Sequence, residues 1–316
     1  NTYYDFFPTL ASFGIEVHGI DQRYPIPTCR GWGRSVTSPG QRGLTGSTSL
    51  VLSDIHSFLQ SLASRTDKST SLFLMGHSMG GAQVLHYVLN PASPYHSQGK
   101  DAQGMQQITL SGVLAFASLI ALHPSSRPLG ITIALGRLAS KVLPRFHMRS
   151  ELDQRLVSRD EQARADFAAD PLCHDTGTLE GLAGMLDRAS WLEKQTPSSR
   201  LTVPEDKIPS IWVGHGTADQ ITSFDASKKF MEVLLARDKT FQEYQGAYHK
   251  LHVEPDGVKE QLAKDVGDWI LKRRHPVPDA ALTQGSRPEL VNIAGVNSSE
   301  DSETVESVNR EDKAKI

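Results

Sequence analysis

The sequence predicts an α/β fold: a mostly parallel sheet with helices on its faces and an all-helical segment inserted into it. Three observations carry this. Short apolar, β-branched runs alternate with stretches of helical periodicity, the alternation stops between about Leu119 and Thr202, and it then resumes to about residue 274. At 316 residues and 38% hydrophobic content, the chain can bury one large domain that carries an insertion.

"YYDFFPTLASFG" reads as a first helix and "GIEVHGID" (14–21) as a strand. Residues 48–64 follow as a helix, with Leu52, Ile55, Leu59 and Leu62 three or four apart. "SLFLMGH" (71–77) is a buried strand, "MGGAQVLHYVLN" a helix stopped by Pro91, and "ITLSGVLAFA" (108–117) another strand. From 119 to 202 only helical segments are expected, broken by prolines at 124, 128, 144, 171 and 197. "IPSIWVGHG" then reads as a strand, "DASKKFMEVLLARD" as a helix and "TFQEYQGAYH" as a strand. Residues 256–274 close the fold as an amphipathic helix, with Val258, Leu262, Val266, Trp269 and Ile270 on one face. The expected division is a core in two parts, 1–118 and 203–275, a helical cap over 119–202, and a polar, disordered tail over 276–316.

Composition narrows the function classes. A net charge of −3 gives no reason to expect nucleic acid or an anionic membrane as partner. Two cysteines, Cys29 and Cys173, cannot form a disulfide framework and lean towards a reducing, cytoplasmic compartment. No apolar run approaches the roughly 18 to 20 residues that span a bilayer. The triplet Asn297-Ser298-Ser299 matches a glycosylation acceptor, a pattern common by chance.

The chemistry lies in Gly76-His77-Ser78-Met79-Gly80, which fits G-x-S-x-G. Alone the pattern is weak, but a strand before it and a helix directly after supply the frame of a nucleophile elbow. The glycines two before and two after the serine are expected to let strand and helix approach closely. A serine hydroxyl needs a base, and the base needs an orienting carboxylate. Asp219 lies in the loop after one strand and His249 just past the next, so serine, acid and histidine follow in α/β-hydrolase order. His252 is the competing base, further into the same turn.

These residues resemble the monoglyceride lipases, a cap-bearing α/β-hydrolase group of the serine aminopeptidase S33 type. "GHSMGGA" is similar to that family's elbow, "HGTADQITSFDASKKFMEVLLARDKTFQEYQGAYHKLHVEP" to its acid and histidine region, and "SRDEQARADFAADPLCHD" to its cap. The likeness runs from Tyr3 to about Arg273 and is nearest to fungal members. It implies hydrolysis of monoacylglycerol esters to fatty acid and glycerol by Ser78, Asp219 and His249, with no metal or cofactor. "GITIALGRLASKVL" (130–143) carries a stripe of Ile131, Leu135, Leu138 and Val142, broadened by Ile133 and Ala134. Such a face is expected to bury against the core, an acyl chain, or a membrane or lipid-droplet surface. Cys173 is expected to be a small buried residue.

The chain departs from the pattern twice. Its relatives have early strands and an "H-G" motif upstream of Asn1, so the chain is expected to be part of a longer protein. In this fold one oxyanion donor is the N–H of the residue after the nucleophile, here Met79, and the other lies in a loop before the first helix. That second donor is expected to be absent from the chain. Second, Tyr24 to Arg30 interrupt a stretch that would otherwise read "DQRGWGRS", either a surface insertion or a splicing or gene-model error. Two other functions stay open: a hydrolase of the same fold acting on lysophospholipids, other esters or peptides, and a catalytically impaired or purely binding protein.

Overall fold

Six strands and eight α-helices are built among residues 3, 5–20, 31–67, 69–95, 108–196 and 208–274, the parts of the chain described by a computed structural model. The strands are β1 (Phe73–His77), β2 (Gly112–Phe116), β3 (His147–Arg149), β4 (Thr176–Thr178), β5 (Ser210–Gly216) and β6 (Lys239–Tyr244). Four of them form an all-parallel sheet in the order β1-β2-β5-β6, with Phe73 opposite Gly112, Gly112 opposite Ser210 and Ile211 opposite Lys239. The central strands explain their own composition. Val113, Leu114, Ala115 and Phe116 of β2 are all fully buried, because a parallel strand covered on both faces has no side to give to water.

The helices are α1 (Phe6–Ser12), α2 (Thr48–Ala63), α3 (Met79–Leu89), α4 (Gly130–Val142), α5 (Glu161–Ala169), α6 (Leu179–Glu193), α7 (Phe224–Val233) and α8 (Val258–Leu271). Several begin at side-chain caps: Ser47 accepts from the Leu50 N–H, Asp160 from Ala163, Thr178 from Gly181 and Ser223 from Ala226. One sheet face buries Val51, Leu52, Ile55 and Leu59 of α2 with Val84, Leu85 and Val88 of α3 and Phe230 of α7. The other buries Phe6 and Leu10 of α1 with Leu262, Val266, Trp269 and Ile270 of α8 around Leu114, Phe116 and Trp212.

Three expectations need correction, and a fourth, left open, is narrowed. Residues 15–20 form no strand. No described strand pairs with them, and Ile15 and Val17 instead pack against the α1–α8 cluster. The α7 helix stops at Val233, with Leu234 in extended backbone. The segment from 119 to 202 is not wholly helical, since β3 and β4 pair as an antiparallel ribbon with His147 opposite Thr178. The stripe on α4 is not in the core: Ile131, Leu135, Leu138 and Val142 are 61–75% exposed, and no residue of α4 is buried.

That last outcome has a local cause. The inward side of α4 carries Ile133, Gly136, Arg137 and Ser140, and it rests on α6. Arg137 reaches Asp187 at 2.6 Å, and Arg127, just before α4, reaches Glu193 at 3.4 Å. Meanwhile α6 sends Ala189 and Leu192 into the core of the sheet. The described residues all belong to one compact unit, which ends at His275. Residues 21–30, with Cys29 and the interruption, and 275–316, with the expected tail and Asn297, lie outside the described residues.

Candidate active site

Three loops leave the C-terminal ends of parallel strands and meet at one point. Ser78 directly follows β1, Asp219 lies three residues past β5, and His249 lies five past β6. The Ser78 backbone has φ 56° and ψ −119°, a conformation that L side chains rarely adopt and that costs about 1–3 kcal/mol. Hydrogen bonds hold it there, from the Ser78 N–H to the Phe116 carbonyl (3.0 Å) and from the Leu119 N–H to the Ser78 carbonyl (2.9 Å).

Ser78 also occupies the N-cap of α3, yet its side chain makes no cap bond. The hydroxyl goes elsewhere: Oγ lies 2.9 Å from His249 Nε2. On the far side of the ring, His249 Nδ1 lies 2.8 Å from Asp219 Oδ2. The carboxylate thus fixes the Nδ1–H tautomer and leaves Nε2 to accept the serine proton. Met79 is the first residue of α3, and its N–H has no intrahelical acceptor.

Asp219 is the best-anchored member. Oδ1 accepts from the backbone N–H groups of Ile221 (2.8 Å) and Thr222 (3.0 Å). Oδ2 accepts from the Thr222 hydroxyl (2.7 Å) and faces His215 Nε2 at 3.2 Å. Burial pushes its pKa up, but the charge of His249 and the hydrogen bonds from His215 and His249 outweigh this and hold it well below the usual carboxylate range. His77, the residue before the serine, donates from Nε2 to the His249 carbonyl at 3.1 Å. Burial, followed by the charges of His249 and His252, lowers its pKa well below the ordinary histidine value, so His77 stays a neutral donor.

His252 does not join the chain. Its ring packs on Tyr3 at 4.8 Å and edge-on to His77 at 5.3 Å. Cys173 is half-buried rather than buried, and burial raises its thiol pKa. His215, Thr222 and His77 were not singled out from sequence. The available signal was position: His215 is the last residue but one of an apolar strand, four residues before Asp219, and Thr222 follows Asp219 by three.

Glycine lets these loops close. A Cβ on Gly76 would collide with the backbone carbonyl of Gly80, and one on Gly216 would meet the Tyr248 carbonyl at 2.6 Å. Gly80 itself has open space at its Cβ direction, whereas Gly81 faces Ser118. The close approach of β1 to α3 therefore depends on Gly76, and Gly81 lets α3 approach Ser118 in the turn after β2, a correction to the pairing of Gly76 with Gly80. Replacing Gly76 by alanine is expected to cost about 1–3 kcal/mol. A thermal melt several degrees below that of the unmodified protein would show it.

A parallel sheet that gathers serine, histidine and aspartate at its C-terminal edge, the serine on a strained strand-to-helix turn, defines the α/β-hydrolase class. The chain belongs to the serine aminopeptidase S33 family, whose profile matches residues 1–256. It is 32% identical over 277 residues to a Schizosaccharomyces pombe protein provisionally named a monoglyceride lipase. That match takes in 87% of this chain but 65% of the relative, so the chain spans just under two thirds of its length. The monoglyceride lipase of Saccharomyces cerevisiae is 28% identical, over 83% of this chain and 78% of its own. Among solved structures, the monoacylglycerol lipase of Paleococcus ferrophilus superposes with a TM-score of 0.67 at 25% identity, covering 86% of this chain and 89% of that one.

Proposed function

We propose that the chain is a serine hydrolase that cleaves monoacylglycerol esters to fatty acid and glycerol. The observation that carries this reading is the unbroken hydrogen-bond chain from Ser78 Oγ through His249 to Asp219. Ser78 attacks the ester carbonyl while His249 Nε2 takes its proton, and the same proton then goes to the departing glycerol oxygen. Water, deprotonated by His249, cleaves the acyl-enzyme and restores the hydroxyl to Ser78. Asp219 holds the tautomer and stabilises the imidazolium, and the Met79 N–H stabilises the oxyanion. The substrate class rests on the S. cerevisiae and P. ferrophilus relatives, which are named for that activity. Purified protein is expected to release fatty acid from a long-chain monoacylglycerol and to be labelled at Ser78 by a fluorophosphonate. Labelling combined with faster turnover of lysophospholipid or short-chain esters would replace the substrate and keep the mechanism.

The segment from 119 to 202 acts as a cap that meets a membrane or lipid-droplet surface. No described helix is long and apolar enough to cross a membrane. The α4 stripe continues through Leu129, Leu143, Phe146 and Met148, all exposed, with Lys141, Arg145 and Arg149 exposed among them. An apolar face rimmed by basic side chains suits the headgroup boundary of a lipid layer. Fully burying one leucine is worth about 1.5–3 kcal/mol. Replacing Leu135 and Leu138 together by aspartate is therefore expected to weaken vesicle co-sedimentation at least about 10-fold. Unchanged binding would remove α4 from the contact.

A further inference from the structure

The turn that carries His249 is fastened to a segment about ninety residues upstream, and one buried carboxylate is part of the fastening. Glu254 is fully buried. Its Oε1 accepts from the Arg159 N–H at 2.7 Å; its Oε2 accepts from Arg159 Nε at 2.8 Å and from the Tyr248 N–H at 3.1 Å. Arg159 also reaches Asp256 at 3.0 Å. A buried charge is costly unless it is paired and hydrogen-bonded, and this one has three donors, two on distant Arg159 and one on Tyr248 of its own turn.

The geometry around His249 shows what this arrangement holds. On one side, the Tyr248 N–H is bound by Glu254. On the other, the Lys250 N–H donates to the Val157 carbonyl at 2.8 Å, two residues before Arg159. The His249 carbonyl itself accepts from His77. Lys250 Nζ sits 3.5 Å over the Phe167 ring of α5, and the Ser158 hydroxyl donates to the Val253 carbonyl at 3.3 Å. The histidine is thus fixed through its backbone neighbours, by residues 157–159 and 167 of the segment between β2 and β5.

We infer that Glu254, through its pairing with Arg159, is a positioning residue that sets the imidazole of His249 against Ser78, so that the inserted segment helps to build the site it borders. This rests on His249 being the base. A misplacement of about 1 Å can cost about 10²-fold in rate, and Glu254 controls the backbone one residue from the ring. Gln in its place keeps the volume but must turn an amide NH₂ towards one of the three donors.

The test compares E254Q, R159A, R159K and H249A in hydrolysis of a monoacylglycerol, with kcat, KM and the acidic limb of the pH profile measured beside a thermal melt. E254Q and R159A are each expected to lower kcat about 10- to 100-fold with KM little changed. Both should move the acidic limb to lower pH, because a loosened imidazolium is held less well by Asp219. A through-space charge effect predicts opposite shifts, since one variant removes a negative charge and the other a positive one. Opposite shifts, a rise in KM alone, or unchanged kcat in folded protein would each overturn the inference. R159K, which keeps the charge and one donor, is expected to fall between wild type and R159A, and full activity in it would also count against the pairing. H249A separates the two claims: if it keeps full activity, the assignment of the base fails, whereas its inactivity beside a fully active E254Q sinks the positioning role alone.

Discussion

Ser78→Ala is expected to lower kcat by about 10⁵- to 10⁶-fold and to abolish fluorophosphonate labelling, because no other group can form the acyl-enzyme. Stability should hardly change. The hydroxyl makes no cap bond to α3, and alanine is as strained as serine at φ 56°. Ser78→Gly separates strain from chemistry. It should be equally inactive yet about 1 kcal/mol more stable, since glycine adopts positive φ without penalty. A glycine variant no more stable than the alanine variant would mean that the turn stores no strain. Residual labelling in either would mean that Ser78 is not the nucleophile.

Asp219→Asn is expected to cost about 10⁴-fold in kcat at neutral pH, through the wrong imidazole tautomer rather than a collapsed site. An amide in place of Oδ2 would point N–H groups at His249 Nδ1, and that nitrogen would then accept instead of donate. Nε2 would carry the proton and could take none from Ser78. The same carboxylate has a pH signature in stability. Its folded-state pKa lies well below the usual range, so the unfolded chain binds the proton more readily. Its stabilising contribution is full above the unfolded value of about 4 and is lost as pH falls through the lower folded-state value. Melting temperature against pH should therefore fall more steeply below pH ~4 in wild type than in the asparagine variant. Identical slopes would mean that Asp219 is not held as a low-pKa anion.

Much of the architecture was legible because its signals are local. Leu52, Ile55 and Leu59 at helical spacing, and the fully apolar run of β2, report the face each element must bury. The elbow could be read as strand, serine and helix in direct succession, and the structure places His249 within hydrogen-bond distance of both Ser78 and Asp219. Other features resisted reading because their cause is not local. Residues 15–20 carry a strand pattern, yet no described strand pairs with them, and Ile15 and Val17 pack against the α1–α8 cluster instead. The three-residue strands of the β3–β4 ribbon are too short to leave a periodicity.

The sequence by itself determined the α/β alternation and the succession of strand, serine and helix at the elbow, since each depends on residues adjacent along the chain. Only the tertiary structure decided that His215 and Thr222 converge on Asp219, that the apolar stripe of α4 faces outward, and that Glu254 ties the histidine turn to Arg159. The physical reason is separation. A hydrogen bond across 95 residues leaves no mark on local spacing, and an amphipathic helix shows which face is apolar but not what that face will meet.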